Sequence, residues 1–165
     1  MSQLDDLGTQ TRRPSVPPVL HVREVQAYNV DGGTFTAGAD QTRVLNTVVL
    51  NEITGASLAS NQITLPVGTY DIEWSTPAYN VGNNWSWLYN ATAAANIPGV
   101  TAVSYAAAAS YSSLTGHVRV VLSVTSALEV RHRCTVTRAT DGFGVHTSVA
   151  GYDSIYTDVF VTKVA

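Results

Sequence analysis

The sequence predicts an all-β fold, a β-sandwich or jelly roll of about eight to ten short strands, and three observations predict it. Tyr70, Ile72 and Trp74 alternate with Asp71, Glu73 and Ser75 directly after the turn Pro66–Val67–Gly68. Period-two alternation behind a turn marks a half-buried strand. The stretch Tyr156–Val164 is apolar and aromatic, and a chain that closes on such a strand must insert it into a sheet already made. No helical period persists anywhere over about a dozen residues.

Taken in order, residues 1–19 differ from the rest. Met1–Gly8 holds one helical turn at most. Thr9–Val19 then carries Arg12, Arg13, Pro14, Pro17 and Pro18. Proline removes backbone donors and favours extended conformation, so this segment reads as an N-terminal arm rather than a packed element. Extended, it reaches roughly 60 Å at about 3.3 Å per residue. It is either a disordered leader or an arm bound to a surface. Strands are expected at Leu20–Val30, Arg43–Asn51, Gln62–Leu65, Tyr70–Thr76 and Asn84–Asn90, separated by Gly, Asp, Ser and Thr clusters. The alanine-rich Ala91–Ser113 includes Ala106–Ala109, but its β-branched, Ser and Tyr neighbours favour strand or loop over helix. Val118, Val120, Leu122 and Val124 alternate, as do Val130, His132, Cys134 and Val136. Residues 20–165 read as one domain.

Hydrophobic residues make up 45% of the 165 residues, enough for a core without metals or disulfides. Only 13% are charged, about half the usual share. So little charge suggests that part of the surface is covered, most simply by other copies of the chain. A net charge of −3 argues against nucleic acid, which needs a basic footprint. No apolar run approaches the ~18 residues of a membrane span, and the N-terminus lacks the pattern of a secretion signal. Cys134 is the one cysteine, which fits a reducing cytoplasm or a fold that needs no staples.

Motifs for chemistry are sparse. His21, His117, His132 and His146 sit at no metal-ligand spacing. His132 and Cys134 share one strand face and read as core or interface residues. Arg131 and Arg133 point the other way, toward solvent or cross-strand carboxylates. Gly142–Phe143–Gly144 precedes no helix pattern and reads as a turn. Asp71 and Glu73 share a strand face at i, i+2, which is weak ground for an acid/base pair. The sequence carries no catalytic constellation, no cofactor motif and no metal motif. Trp85, Trp87 and Tyr89 fall on one face of a strand; they either stack on sugar rings or serve core and subunit packing.

Several short motifs occur together and in order: Arg43–Val–Leu–Asn46, Ile53–Thr–Gly–Ala–Ser–Leu58, Asn61–Gln–Ile–Thr–Leu–Pro–Val–Gly–Thr–Tyr70, Pro77–Ala–Tyr–Asn80, Leu88–Tyr–Asn90 and Arg138–Ala–Thr–Asp–Gly–Phe–Gly144. From Val22 to Val164 the chain resembles a domain of tailed-phage fibre and head-decoration proteins. That domain is similar to the globular head of complement and tumour-necrosis-factor-like proteins. The resemblance implies a ten-strand jelly roll, a homotrimer about a three-fold axis, and no enzyme activity. Gly68–Thr69–Tyr70 matches the opening of its central strand, and Tyr156–Val164 its closing strand.

These readings combine into an expected function: a trimeric capsid decoration or head-fibre protein of a phage virion, assembled in the host cytoplasm. The short arm in place of a long stalk favours this over a tail-fibre receptor- or glycan-binding tip. The arm is expected to hold the major capsid protein or another virion protein. Leu4, Leu7 and Val16 are its expected apolar anchors, and Asp5, Asp6, Arg12 and Arg13 set register. Tyr156 and Phe160 are the expected trimer-interface residues. Trp85, Trp87 and Tyr89 are the expected contacts with a host surface glycan.

Overall fold

A computed structural model describes residues 16–101 and 103–165. Among these residues there are twelve strands and no helix: β1 (Val19–Gln26), β2 (Gln41–Thr42), β3 (Thr47–Asn51), β4 (Ser57–Ala59), β5 (Gln62–Leu65), β6 (Gly68–Tyr79), β7 (Gly82–Asn90), β8 (Ala95–Val100), β9 (Ser104–Ala106), β10 (Tyr111–Leu122), β11 (Ser126–Cys134) and β12 (Ser154–Lys163). They form two antiparallel sheets. The five-stranded sheet has the order β10-β6-β12-β1-β3, and the seven-stranded sheet runs β4-β5-β11-β7-β8 with β2 on β11 and β9 on β7. The closing strand β12 lies between β6 and β1, paired on both sides. That is the insertion its apolar composition requires.

The alternation along β6 sorts as expected: Tyr70, Ile72 and Trp74 are buried, while Glu73 is exposed. They meet Leu20, Val22, Val120, Leu122, Val159 and Val161 of the same sheet and Ile63, Leu65, Leu88, Leu128 and Val130 of the other. Each large apolar side chain buried this way contributes roughly 1.5–3 kcal/mol. Trp74 spans the sandwich, and its Nε1 donates to Ser86 Oγ at 3.0 Å. Gly116 makes room for the indole. A Cβ there would lie 2.1 Å from the Trp74 ring.

Some expected boundaries shift. Ala106 ends β9, and Ser110 N donates to Ala107 O in a turn, so the alanine run forms no helix. Strand β10 stops at Leu122 and β11 at Cys134, which leaves Val124 and Val136 exposed beyond the ladders. The first strand ends at Gln26, because Asn29 adopts a left-handed turn at φ 67°. Arg43 precedes β3 rather than starting it. It is fully buried and donates to Thr157 Oγ1 at 2.9 Å, Pro77 O at 3.3 Å and Phe143 O at 3.3 Å. Glu24 Oε2 accepts from Arg43 at 3.5 Å and from Thr157 at 3.2 Å. Burial lowers the guanidinium pKa to about 10 although Glu24 opposes the shift.

Candidate functional site

Pairing register lays the side chains of the five-stranded sheet in rows on its outer face. One row runs His117–Glu73–Phe160–His21–Leu50, and the next runs Thr115–Ser75–Asp158–Arg23–Thr47. Phe160 stacks on His21 with ring centroids 3.8 Å apart. His21 Nε2 and Asp158 Oδ1 lie 2.5 Å apart, and Arg23 Nε donates to the same oxygen at 3.1 Å. A depression of about 380 Å³ opens between Glu73, Ser75, Thr115, His117, Asp158 and Phe160. Asp71 is held by Arg119 through bonds of 2.7 and 2.6 Å. This pairing keeps the Asp71 carboxyl below its ordinary range.

The open side chains of this face are mixed: Glu73, Thr115, His117 and Arg119 are exposed beside apolar ones. Phe160 is 43% exposed and Leu50 44%. Val48, Val49 and Leu50 stand exposed on β3, an edge strand with no charged side chain. Bare apolar edges of this kind are templates for association. Among the described residues, the exposed large apolar side chains that lie within strands belong to this sheet, apart from Tyr105.

Of the two expected trimer-interface residues, both in β12, Phe160 points outward and Tyr156 inward. Between the pairs Arg23↔Asp158 and Val25↔Ile155, β12 carries one residue more than β1. This bulge turns both Tyr156 and Thr157 inward. Tyr156 is 4% exposed and donates its hydroxyl to Val30 O at 2.6 Å. Its ring lies against Gly144, where a Cβ would come within 2.5 Å. Thr157 joins the Arg43–Glu24 network. No single-strand pattern in the sequence announces the extra residue.

The outer face of the seven-stranded sheet is organised differently. Trp85, Trp87 and Tyr89 do line up on it, opposite Arg133, Arg131 and Glu129 of β11. Trp87 is 5% exposed and donates Nε1 to Asn96 Oδ1 at 2.9 Å. The Arg131 guanidinium lies 3.3 Å from the Tyr89 ring centroid and covers that ring. Arg131 Nε also donates to Glu129 Oε2 at 3.1 Å. Burial alone would raise the Glu129 carboxyl, but hydrogen bonds from Gln62, Thr42 and Arg131 hold it below its ordinary value. Arg133 donates to Asp40 Oδ1 at 2.6 Å. A cleft of about 310 Å³ remains among Asp40, Trp85, Trp87, Asn96 and Arg133. Sequence reasoning had the aromatic stripe but not Asp40 or Asn96, which arrive from a loop and from β8.

The remaining reactive groups are inward. His132 is fully buried, with Nε2 3.1 Å from Asn84 Oδ1 and its ring tilted against Phe35. Burial raises the Cys134 thiol to about 11, far from a thiolate nucleophile at neutral pH. Among the described residues, no three His, Cys, Asp or Glu side chains are grouped to hold a metal ion.

Of the arm residues, Leu4, Asp5, Asp6, Leu7, Arg12 and Arg13 lie outside the described residues. Val16 is 86% exposed. Pro17 and Pro18 border a groove with Lys163, Val164 and Ala165, and Lys163 N donates to Pro18 O at 3.0 Å. The arm therefore leaves from the end of the sandwich where Ala165 lies.

No family model matches the chain, and no curated protein matches it in sequence. Solved structures do match in fold. The chain is similar to murine APRIL at pH 5.0, with 12% identity, a TM-score of 0.61, and coverage of 90% of this chain and 99% of that one. The globular domain of zebrafish complement 1qA matches at 10% identity, TM-score 0.57, covering 90% and 98%. The PRD1 vertex protein P5, a phage spike protein, matches at 16% identity, TM-score 0.55, covering 92% and 99%. The fold is thus the jelly roll of tumour-necrosis-factor-like and complement heads, as the motif string implied.

Proposed function

We propose that this protein is a non-enzymatic structural protein of a phage virion: a homotrimeric knob, held by its N-terminal arm, that decorates the capsid or forms a head fibre. One observation carries the reading. Among the described residues, most exposed large apolar side chains within strands belong to the five-stranded sheet, with Phe160 and Leu50 on its outer face and Val48–Leu50 on its uncharged edge strand β3. A lone chain would leave this patch in water, whereas three copies packed through it would bury it. The fold likeness to the PRD1 vertex protein P5 supports a virion role. The arm root at Val16–Pro18 supports attachment at one end of the knob, with the opposite end outward.

Three arms on one trimer act together. Once the first docks, the others bind at high effective concentration, so weak contacts suffice. The partner would be the major capsid protein or a neighbouring virion protein. A second reading, a receptor-binding tip on a tail fibre, draws on the Trp85 cleft. Co-sedimentation with undecorated capsids of the encoding virus tests the first. Full-length protein should pellet with the particles, and protein lacking residues 1–15 should not. Equal binding by both would remove the attachment role from the arm.

A further inference from the structure

We infer that the outer face of the seven-stranded sheet carries a binding cleft for one neutral pyranose unit of a saccharide, built on Trp85 and Trp87 and rimmed by Asp40, Asn96 and Arg133. The inference holds whether the knob sits on the head or the tail. At about 310 Å³ the cleft falls at the lower end of small-molecule sites, which run roughly 300–1,000 Å³.

A pyranose ring has a C–H face and an edge of hydroxyls that each donate and accept. Its site needs an aromatic plane beside both kinds of polar group. Strand alternation puts Trp85 and Trp87 on the outer side of β7, with Trp85 half-buried and Trp87 as the deeper floor. Register brings Arg133 opposite Trp85. Asn96 comes from β8, and Asp40 from the loop that enters β2. Each polar group is fixed by one bond and keeps capacity for another. Asn96 accepts the Trp87 indole through Oδ1, which leaves its amide N–H groups. Asp40 accepts Arg133 through Oδ1, which leaves Oδ2, and Arg133 uses Nη1 alone. Among the described residues the Trp85 indole N–H has no partner. Donors and an acceptor thus ring the aromatic floor.

Charge narrows the ligand. Asp40 and Arg133 form a pair, so the cleft has no net charge to attract a uronic or sialic acid. A second copy of the chain is a poor occupant, because closing the cleft would desolvate this ion pair. Hydroxyls instead replace the water on it. Tyr89 is excluded as a platform because Arg131 already lies on its ring.

The test follows the indole N–H signals of Trp74, Trp85 and Trp87 in ¹⁵N-labelled full-length protein. The probes are methyl glycosides of glucose, galactose, mannose and N-acetylglucosamine, with N-acetylneuraminic acid as the anionic arm. At least one neutral glycoside should shift Trp85 and Trp87 saturably in the millimolar range. Trp74, bonded to Ser86 in the core, should not move. Trp85→Ala and, separately, Asp40→Ala should each weaken binding about tenfold, the size of one such contact. Asp40→Ala keeps the test valid if Trp85→Ala lowers the melting temperature. The inference is overturned if no neutral glycoside moves these signals, or if N-acetylneuraminic acid binds better than all four. It is equally overturned if protein dilution alone moves them, which would mark a subunit contact, or if the folded variants bind as tightly as the parent.

Discussion

The two outer sheet faces solve the same problem in opposite ways. Both bear aromatic side chains that alternate out of a strand. On the seven-stranded face two of the three are served locally, since Arg131 caps Tyr89 and Asn96 takes the Trp87 indole, while Trp85 stays open beside the Arg133–Asp40 pair. On the five-stranded face, Phe160 has His21 on one side and water on the other, next to an uncharged edge of Val48, Val49 and Leu50. An aromatic stripe in the sequence therefore does not identify an interface. What identifies it is whether the chain itself covers the rings.

The largest expected effect is on the core that holds the faces apart. Gly116→Val should cost about 3 kcal/mol through overpacking against the Trp74 indole. It should lower the melting temperature more than any surface change. An unchanged melting curve would mean that the indole does not lie against β10, and that neither face is braced as described.

Acid should act next, through the interior side of β11. Burial, reinforced by Arg43, holds His132 well below the ordinary histidine value of 6.5. With the folded pKa depressed, the unfolded chain binds the proton more readily. The stability due to a neutral His132 is then fully present above pH 6.5 and lost as pH falls from there. The slope approaches about 1.4 kcal/mol per pH unit. Glu24 has the opposite sign, because burial raises its carboxyl and its contribution fades as pH rises. The readout is therefore the difference between parent and His132→Gln. In denaturant melts the variant should show the flatter acid limb, and parallel limbs would contradict the account.

Smaller effects belong to the served face and the arm. Arg131→Ala should cost about 1 kcal/mol, the scale of one cation–π contact, while uncovering Tyr89. Fluorescence quenching of the uncovered tyrosine by iodide checks this. Removing residues 1–15 should leave the melting temperature unchanged, since the first ladder residue is Val19. A lower value would mean that the arm packs on a knob.

Local patterns were legible in the sequence. The alternation at Tyr70–Ile72–Trp74, the inward His132 and Cys134, the outward Arg131 and Arg133, and the central place of the closing strand all follow from period two and apolarity. What was not legible depends on long-range geometry. The β12 bulge splits Tyr156 from Phe160 because Thr157 must reach Arg43, 114 positions away. Arg43 reads as a polar strand residue until the Glu24 and Phe143 carbonyl partners are seen around it. The cleft likewise joins Asp40, Trp85, Asn96 and Arg133, whose proximity no spacing in the sequence encodes.

Sedimentation of two mirror-image variants tests the central claim most directly, since each alters one face. At micromolar concentration the parent and Trp85→Ala should both run at three times the 17.5 kDa chain mass. Phe160→Asp, which would bury an unpaired charge against its neighbours, should run as a single folded chain. If Phe160→Asp stays trimeric while Trp85→Ala dissociates, or if the parent itself is one chain, the five-stranded face is not the surface through which this protein assembles.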